Sequence, residues 1–424
     1  MKRTGFIGGF VTIALIFGAT ACSKSEDEAE VSGYEQKIVS TRTIELTEKQ
    51  KDDIGKNNDF AFNLYRAVSQ SKEMKGKSNV ISPLSLTYAL GMLNTGATGQ
   101  TSKELQALLG FGDSDEASIN SLCSKLIREM PKVDELVELG IVNLMAIDKS
   151  FELEGQFRED LNLYYDAEIA SLPFGAKESA DFINNWANEH SHGLIPHLVD
   201  NLYGAMAILN AIYFNAPWSN ELSSDDTRQE QFEKRDGQQI SLPMMNGKTQ
   251  TSSYAKANNY QTLRLPYGTS NNWAMYILLP DKGTTTDEVI AELTNASWTK
   301  TLQKMKQQAA NVKLPRFKTE TTLDELVDIL TEMGAPSMFQ PRQELLRISS
   351  SNKDLCVGKA LQKAAIDVNE EGTTAAAVTI LSMEIMNLGT KIDYLDFYAT
   401  RPFVYLIQEA SSGAIFFIGT YQGD

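Results

Sequence analysis

The chain has 424 residues, enough for one large domain or two ordinary ones and for a sizeable core. With 42% hydrophobic and 22% charged residues, it has the composition of a soluble globular protein. A formal net charge of −16 argues against a nucleic-acid partner, which needs a basic face toward the phosphates, and favours solubility outside the cell.

The first residues read as a targeting segment. Lys2 and Arg3 precede an apolar run from Phe6 to Phe17 that is short and interrupted by glycines. Ala19, Thr20 and Ala21 then lead into Cys22, the pattern of a bacterial lipobox with Cys22 as the lipidated residue. The stretch from Ser23 to Glu30 is a polar, acidic tether. We therefore expect a signal peptide over 1–21, a tether over 22–50 and one domain over 51–424, exported and held by lipid at the bacterial outer membrane or cell surface, or released outside the cell. The lipid is the only membrane attachment expected, and loss of Lys2 and Arg3 takes the charge to −18. Cys123 and Cys356 remain, read as two buried thiols rather than a disulfide.

Helix signals dominate the first half. Ala61, Leu64, Tyr65 and Val68 share one helical face, with Asp59 placed to cap. Ser82-Pro83 offers an N-cap with proline at the first helical position, and Leu86, Ala89, Leu90 and Leu93 follow as an apolar face. Thr101 to Glu104 and Thr322 to Glu325 both read as capping boxes. Strand signals dominate the second half: Ala207–Phe214, Met275–Leu279, Val312–Phe317, and a C-terminal hairpin of Phe403–Gln408 with Ile415–Ile418. Without βαβ alternation or internal repeats, the order points to an α+β fold. His190, His192 and His197 lie close together, but no zinc motif accompanies them and no base is placed near Ser82 or Ser85, so neither a metal site nor an enzyme is expected.

Several blocks, in order, resemble the serpin family: Asn79 to Leu86, Gly96 to Thr101, Phe182 to Gly193, Asn210 to Phe214 with Trp218, Leu314 to Phe317, and Arg401 to Phe403. The resemblance implies helices packed on a large mixed central β-sheet, smaller sheets and an exposed reactive-centre loop, here about 371–396. Glu370, Glu371, Gly372, Thr373, Thr374, Ala375, Ala376 and Ala377 resemble the hinge of that loop in inhibitory members. Read physically, small residues after a glycine are flexible in a loop and compact in a strand. Every second residue from Thr373 through Ala375, Ala377, Thr379, Leu381 and Met383 to Ile385 is uncharged, and the one charge of the alternate row, Glu384, is expected to face solvent. Charge on the inward row or a proline would oppose insertion into a sheet.

The resemblance implies a protease inhibitor acting as a suicide substrate. A serine or cysteine endopeptidase cuts the loop, forms an acyl-enzyme, and is trapped covalently as the loop inserts; the chain itself is a monomer needing no cofactor. In many inhibitory members the residue sixteen positions after the first hinge Glu precedes the reactive bond, so the resemblance implies Met386–Asn387, suited to an apolar specificity pocket, with Lys391–Ile392 as the alternative. A non-inhibitory binding module on the same fold is the competing reading. Ser82, Ser85, Asn210 and Trp218 are expected to support sheet opening, with Gln362 where the family often has histidine and Ala216 where it often has glycine.

Overall fold

The computed structural model describes residues 42–193, 195–350, 355–373 and 392–424. Three sheets organise them. The first runs Asn79–Ile81, Ile415–Tyr421, Phe403–Glu409, Trp273–Pro280, Tyr260–Pro266, Ser253–Lys256 and Lys306–Gln307, each paired antiparallel with its neighbours. The second runs Leu395–Tyr398, Ala310–Pro315, Gln239–Thr249 and Arg228–Glu233. The third, the central sheet, runs Phe317–Leu323, Val357–Val368, Gly372–Thr373, Met206–Pro217, Glu138–Asp148 and Glu168–Leu172. This is the α+β arrangement, helices on a large mixed central β-sheet with two smaller sheets, that the sequence blocks implied.

The helix Pro83–Gly96 is buried along its whole length rather than on one stripe, its apolar residues joined by buried Ser85, Thr87, Asn94 and Thr95. It packs under the central sheet against Met206–Pro217 and Glu138–Asp148 and touches the C-terminal strand Ile415–Tyr421. Helix Lys177–His190 covers the other face: Ile183, Trp186 and Ala187 pack with Leu144, Leu209 and Leu361. Phe214 joins two sheets. Its ring lies 5.2 Å from Tyr267, 5.6 Å from Trp273 and 5.9 Å from Phe416, centroid to centroid.

Several local expectations are corrected, mostly where a distant residue supplies a cap. The first helix is Glu48–Gln70, opened by a Thr47/Gln50 capping box, so Asp59 sits inside it. Asp59 instead accepts from the Asn295 N–H, at the start of helix Asn295–Lys304. Helix Gly99–Leu108 starts before the supposed box; its free N–H groups at Gln100 and Thr101 bind the Glu344 carboxylate, while Glu104 binds Ser337. Thr322 belongs to the strand Phe317–Leu323, and the following helix begins at Leu326 without a side-chain cap. The single strand expected over Val312–Phe317 is two, in different sheets, because Pro315 ends one ladder and the chain corners at Arg316. Ile44 and Leu46 are already buried ahead of residue 51, where the domain was expected to begin. The C-terminal hairpin forms as expected. Cys123 is buried, Cys356 is half-buried, and no disulfide joins them.

Phe214→Ala should lower stability by about 3–5 kcal/mol, the range for truncating a buried aromatic, and calorimetry should show it as a clear fall in the thermal midpoint.

Candidate functional site

Two central strands share a ladder over only part of their length. Val357–Val368 and Met206–Pro217 run parallel from Val357 opposite Met206 to Ala364 opposite Ile212, and then part. Asn369 turns the chain back toward the opening. Its N–H donates to the Gly372 carbonyl at 2.9 Å, and its side-chain oxygen accepts from the N–H groups of Glu371 and Gly372. Gly372–Thr373 then enters between the strands, antiparallel to both: Thr373 opposes Val368 on one side and Ala216 on the other. A Cβ at Gly372 would lie 2.1 Å from the Ala216 carbonyl oxygen, so only glycine fits here.

Side chains fix this wedge from every direction. Glu370 is 6% exposed and forms a forked pair with Arg316, 2.6 Å and 3.1 Å, while the Thr227 hydroxyl also donates to it. Burial by itself would raise the Glu370 carboxyl, but the Arg316 and Thr227 hydrogen bonds outweigh it and hold the group below the usual carboxylate range. The carbonyls of Glu370 and Glu371 accept from the Leu222 and Trp218 N–H groups at 3.0 and 2.8 Å. The Trp218 indole donates to the Asn369 carbonyl at 2.9 Å and stacks on Tyr267, centroids 4.4 Å apart and planes 9° from parallel. Tyr267 completes the seat, its hydroxyl 2.5 Å from the Thr373 hydroxyl, with both residues fully buried. Burial pushes the Tyr267 phenol well above its usual range, so it stays protonated and able to donate.

Lower in the sheet, the polar residues named for sheet support do not form one shared network. Gln362 binds the backbone of Ser82 twice, accepting from its N–H at 3.0 Å and donating to its carbonyl at 2.9 Å. Asn210, opposite Gln362 across the ladder, donates to Asn143 at 2.8 Å instead of joining a serine network. Ser82 is the N-cap residue of Pro83–Gly96, yet its hydroxyl caps nothing; the buried hydroxyls of Ser82 and Ser85 make no hydrogen bond within the described residues. The amide of Gln362 satisfies the backbone, and that leaves the serines without the partner expected of it.

Residues 374–391 lie outside the described residues, and with them Thr374, Ala375, Ala376, Ala377, Met386, Asn387 and Lys391; so does Cys22. Ile392 is exposed, and the chain rejoins the fold at Leu395–Tyr398, parallel to Ala310–Pro315. The sheet face expected to meet solvent is covered at Leu209 and Leu361 by Lys177–His190, because the helix crosses there. The histidines have separate partners: His190 approaches Glu168, His192 lies on Tyr213, and His197 pairs with Asp200. Among the described residues no three metal-ligating side chains converge. Sequence reasoning missed Arg316, Tyr267, Thr227, Asn369 and Asn143. Of these, Asn369 carried a readable signal, asparagine opening a four-residue turn that closes on Gly372.

A central sheet whose two middle strands part around the short strand Gly372–Thr373 defines the class of protein. A family model described as "Serpin (serine protease inhibitor)" matches residues 55–422, and the chain belongs to the serpin family. Mouse antithrombin-III is 30% identical over 413 residues, covering 94% of this chain and 86% of the relative. Serpin B6 of Macaca fascicularis is 30% identical over 377 residues, covering 86% and 97%. Among solved structures, the native state of the thermophilic serpin tengpin aligns with TM-score 0.79 at 26% identity, covering 91% of this chain and 96% of that one. Thyroxine-binding globulin with thyroxine aligns with TM-score 0.77 at 26% identity, covering 87% and 98%.

Two outcomes follow. Gly372→Ala should expel the wedge, and hydrogen exchange at the Trp218 and Leu222 amides should speed up; unchanged protection would contradict this geometry. Because the Glu370 pKa is depressed, its contribution holds above the ordinary carboxylate pKa of about 4.3 and is lost as pH falls through the lower folded value. Exchange at the same amides should therefore rise in acid for the wild type, whereas Glu370→Gln should be loosened at neutral pH and lack this acid transition.

Proposed function

We propose that this serpin inhibits endopeptidases as a suicide substrate. A protease attacks the loop and forms an acyl-enzyme, and the freed hinge zips into the opening before the ester or thioester is hydrolysed. The chain supplies no nucleophile; it supplies a fast competing conformational step. The observation that carries this reading is the hinge already seated by Gly372–Thr373, antiparallel to both neighbours, ahead of a row of small uncharged residues. Continuing that register, each inserted residue would exchange a parallel pairing for two antiparallel ones. Thr379 would then oppose Asn210 on one side and Gln362 on the other, on the face where the Ser82 and Ser85 hydroxyls lack partners.

Met386–Asn387 is our proposed reactive bond and Lys391–Ile392 its alternative, so elastase-, chymotrypsin- and subtilisin-like enzymes are the first targets to test. On the Ala19 to Cys22 pattern we also propose export and lipidation at Cys22, which labelling with a radioactive fatty acid would detect and Cys22→Ala would abolish.

Incubation with these proteases should yield a complex that survives boiling in SDS, and mass spectrometry of the released C-terminal fragment should locate the cut. Thr373→Arg buries a charge at the first seat, at a cost of several kcal/mol, and should convert the inhibitor into a substrate that is cut without being trapped. Clean cleavage of the wild type by every protease, with no complex, would favour the binding-module reading.

A further inference from the structure

The hinge seat rests on Tyr267, and Tyr267 begins the turn 267–271 between the strands Tyr260–Pro266 and Trp273–Pro280. This turn is held by a residue from another part of the chain. Asp134 lies four residues ahead of the strand Glu138–Asp148 and is fully buried. One of its carboxylate oxygens accepts from the N–H groups of Thr269 at 2.8 Å and Ser270 at 2.6 Å; the other accepts from Leu136 at 3.0 Å. No lysine, arginine or histidine forms an ion pair with it among the described residues, so these three backbone donors are what make its burial tolerable. The fit is close: Gly268 has φ +59°, and a Cβ there would sit 2.5 Å from the carboxylate.

The turn reaches the hinge by short steps. Gly268 donates its N–H to the Pro217 carbonyl at 2.9 Å and accepts from the Ser219 hydroxyl at 2.6 Å. Trp218, between those two residues, stacks on Tyr267, whose hydroxyl meets Thr373. Asp134 thus ties the lead into one central strand to the turn that carries the hinge's first seat. Glu138 is paired with Asn215, on the Met206–Pro217 side of the opening. When the two central strands separate, this tie keeps Tyr267 in register with that side.

We propose that Asp134 is a positioning residue for loop insertion. Its hydrogen bonds among the described residues go to Leu136, Thr269 and Ser270, and it acts through Tyr267 by fixing where Thr373 docks. The inference rests on the inhibitor reading for its consequence: a displaced first seat slows zipping, and more acyl-enzyme is hydrolysed before it is trapped.

The test is a double-mutant cycle on the full chain, using Asp134→Asn, Tyr267→Phe and both together. The measured quantity is the molar excess of serpin needed to silence one equivalent of a protease that the wild type traps. Asp134→Asn should raise that excess roughly two- to tenfold, the range of one hydrogen bond's net contribution, and the increment should vanish in the Tyr267→Phe background. A fall in thermal midpoint with unchanged excess, or an equal increment in both backgrounds, would mean that Asp134 serves only the fold and would overturn the proposal. Coupling is reciprocal, so a second arm needs no Asp134 variant and no protease. Tyr267→Phe should speed hydrogen exchange at the Thr269 and Ser270 amides, and unchanged exchange there would also overturn it. If the wild type traps no protease, the inhibitor reading fails, while the exchange arm still decides whether Asp134 and the hinge are coupled.

Discussion

A ladder that stops short governs this molecule. Val357–Val368 and Met206–Pro217 could pair along their full length, but they part above Ala364 and Ile212, and two residues of a third segment occupy the space. Every unusual feature nearby serves that arrangement. Gly372 is small enough to pass the Ala216 carbonyl, Glu370 is buried because Arg316 neutralises it, and Trp218 and Tyr267 form a flat wall for Thr373. At the mouth of the gap, Thr373 pairs with Val368 on one side, and Gly372 and Thr373 pair with Pro217 and Ala216 on the other.

Further down, the closed sheet carries a polar cost. The Ser82 and Ser85 hydroxyls are buried without hydrogen bonds, and an unsatisfied buried group of this kind costs about 1–3 kcal/mol. On the proposed mechanism, an incoming strand in the register of Gly372–Thr373 would bring the Thr379 hydroxyl to the same face. The native sheet therefore withholds interactions that an inserted strand would complete, which is the thermodynamic condition for a loop to move into a folded protein. Helix Lys177–His190 would oppose the proposed movement, since it packs on Leu209 and Leu361 of the two strands that would separate.

The sequence made the fold class readable because its signals were local or ordered. The Ser82-Pro83 helix start, the apolar run near Ala207 and the C-terminal hairpin all depend on neighbours in the chain. The failures share one cause, which is that the deciding contact comes from far away. Glu344 caps the helix at Gly99, Asp59 caps one more than 200 residues downstream, and Pro315 hands the chain from one sheet to another. Around Gly372, the resemblance pointed to the segment that the structure seats between the two central strands. Its receptor was not legible, because Arg316, Tyr267, Thr227 and Asp134 come from four separate segments and none carries a local pattern. The Gln362 amide binds the Ser82 backbone rather than the hydroxyls, a choice that depends on side-chain geometry rather than residue type.

The central claim is that the opening above Ala364 accepts the rest of the loop. A crystal structure of the protein after a single cut in the loop tests it most directly. Our account requires a continuous new strand from Gly372 downward, with Thr379 between Asn210 and Gln362 and with no direct pairing left between Val357–Ala364 and Met206–Ile212. A cut protein in which that parallel ladder survives intact, with the loop still outside the sheet, would contradict it.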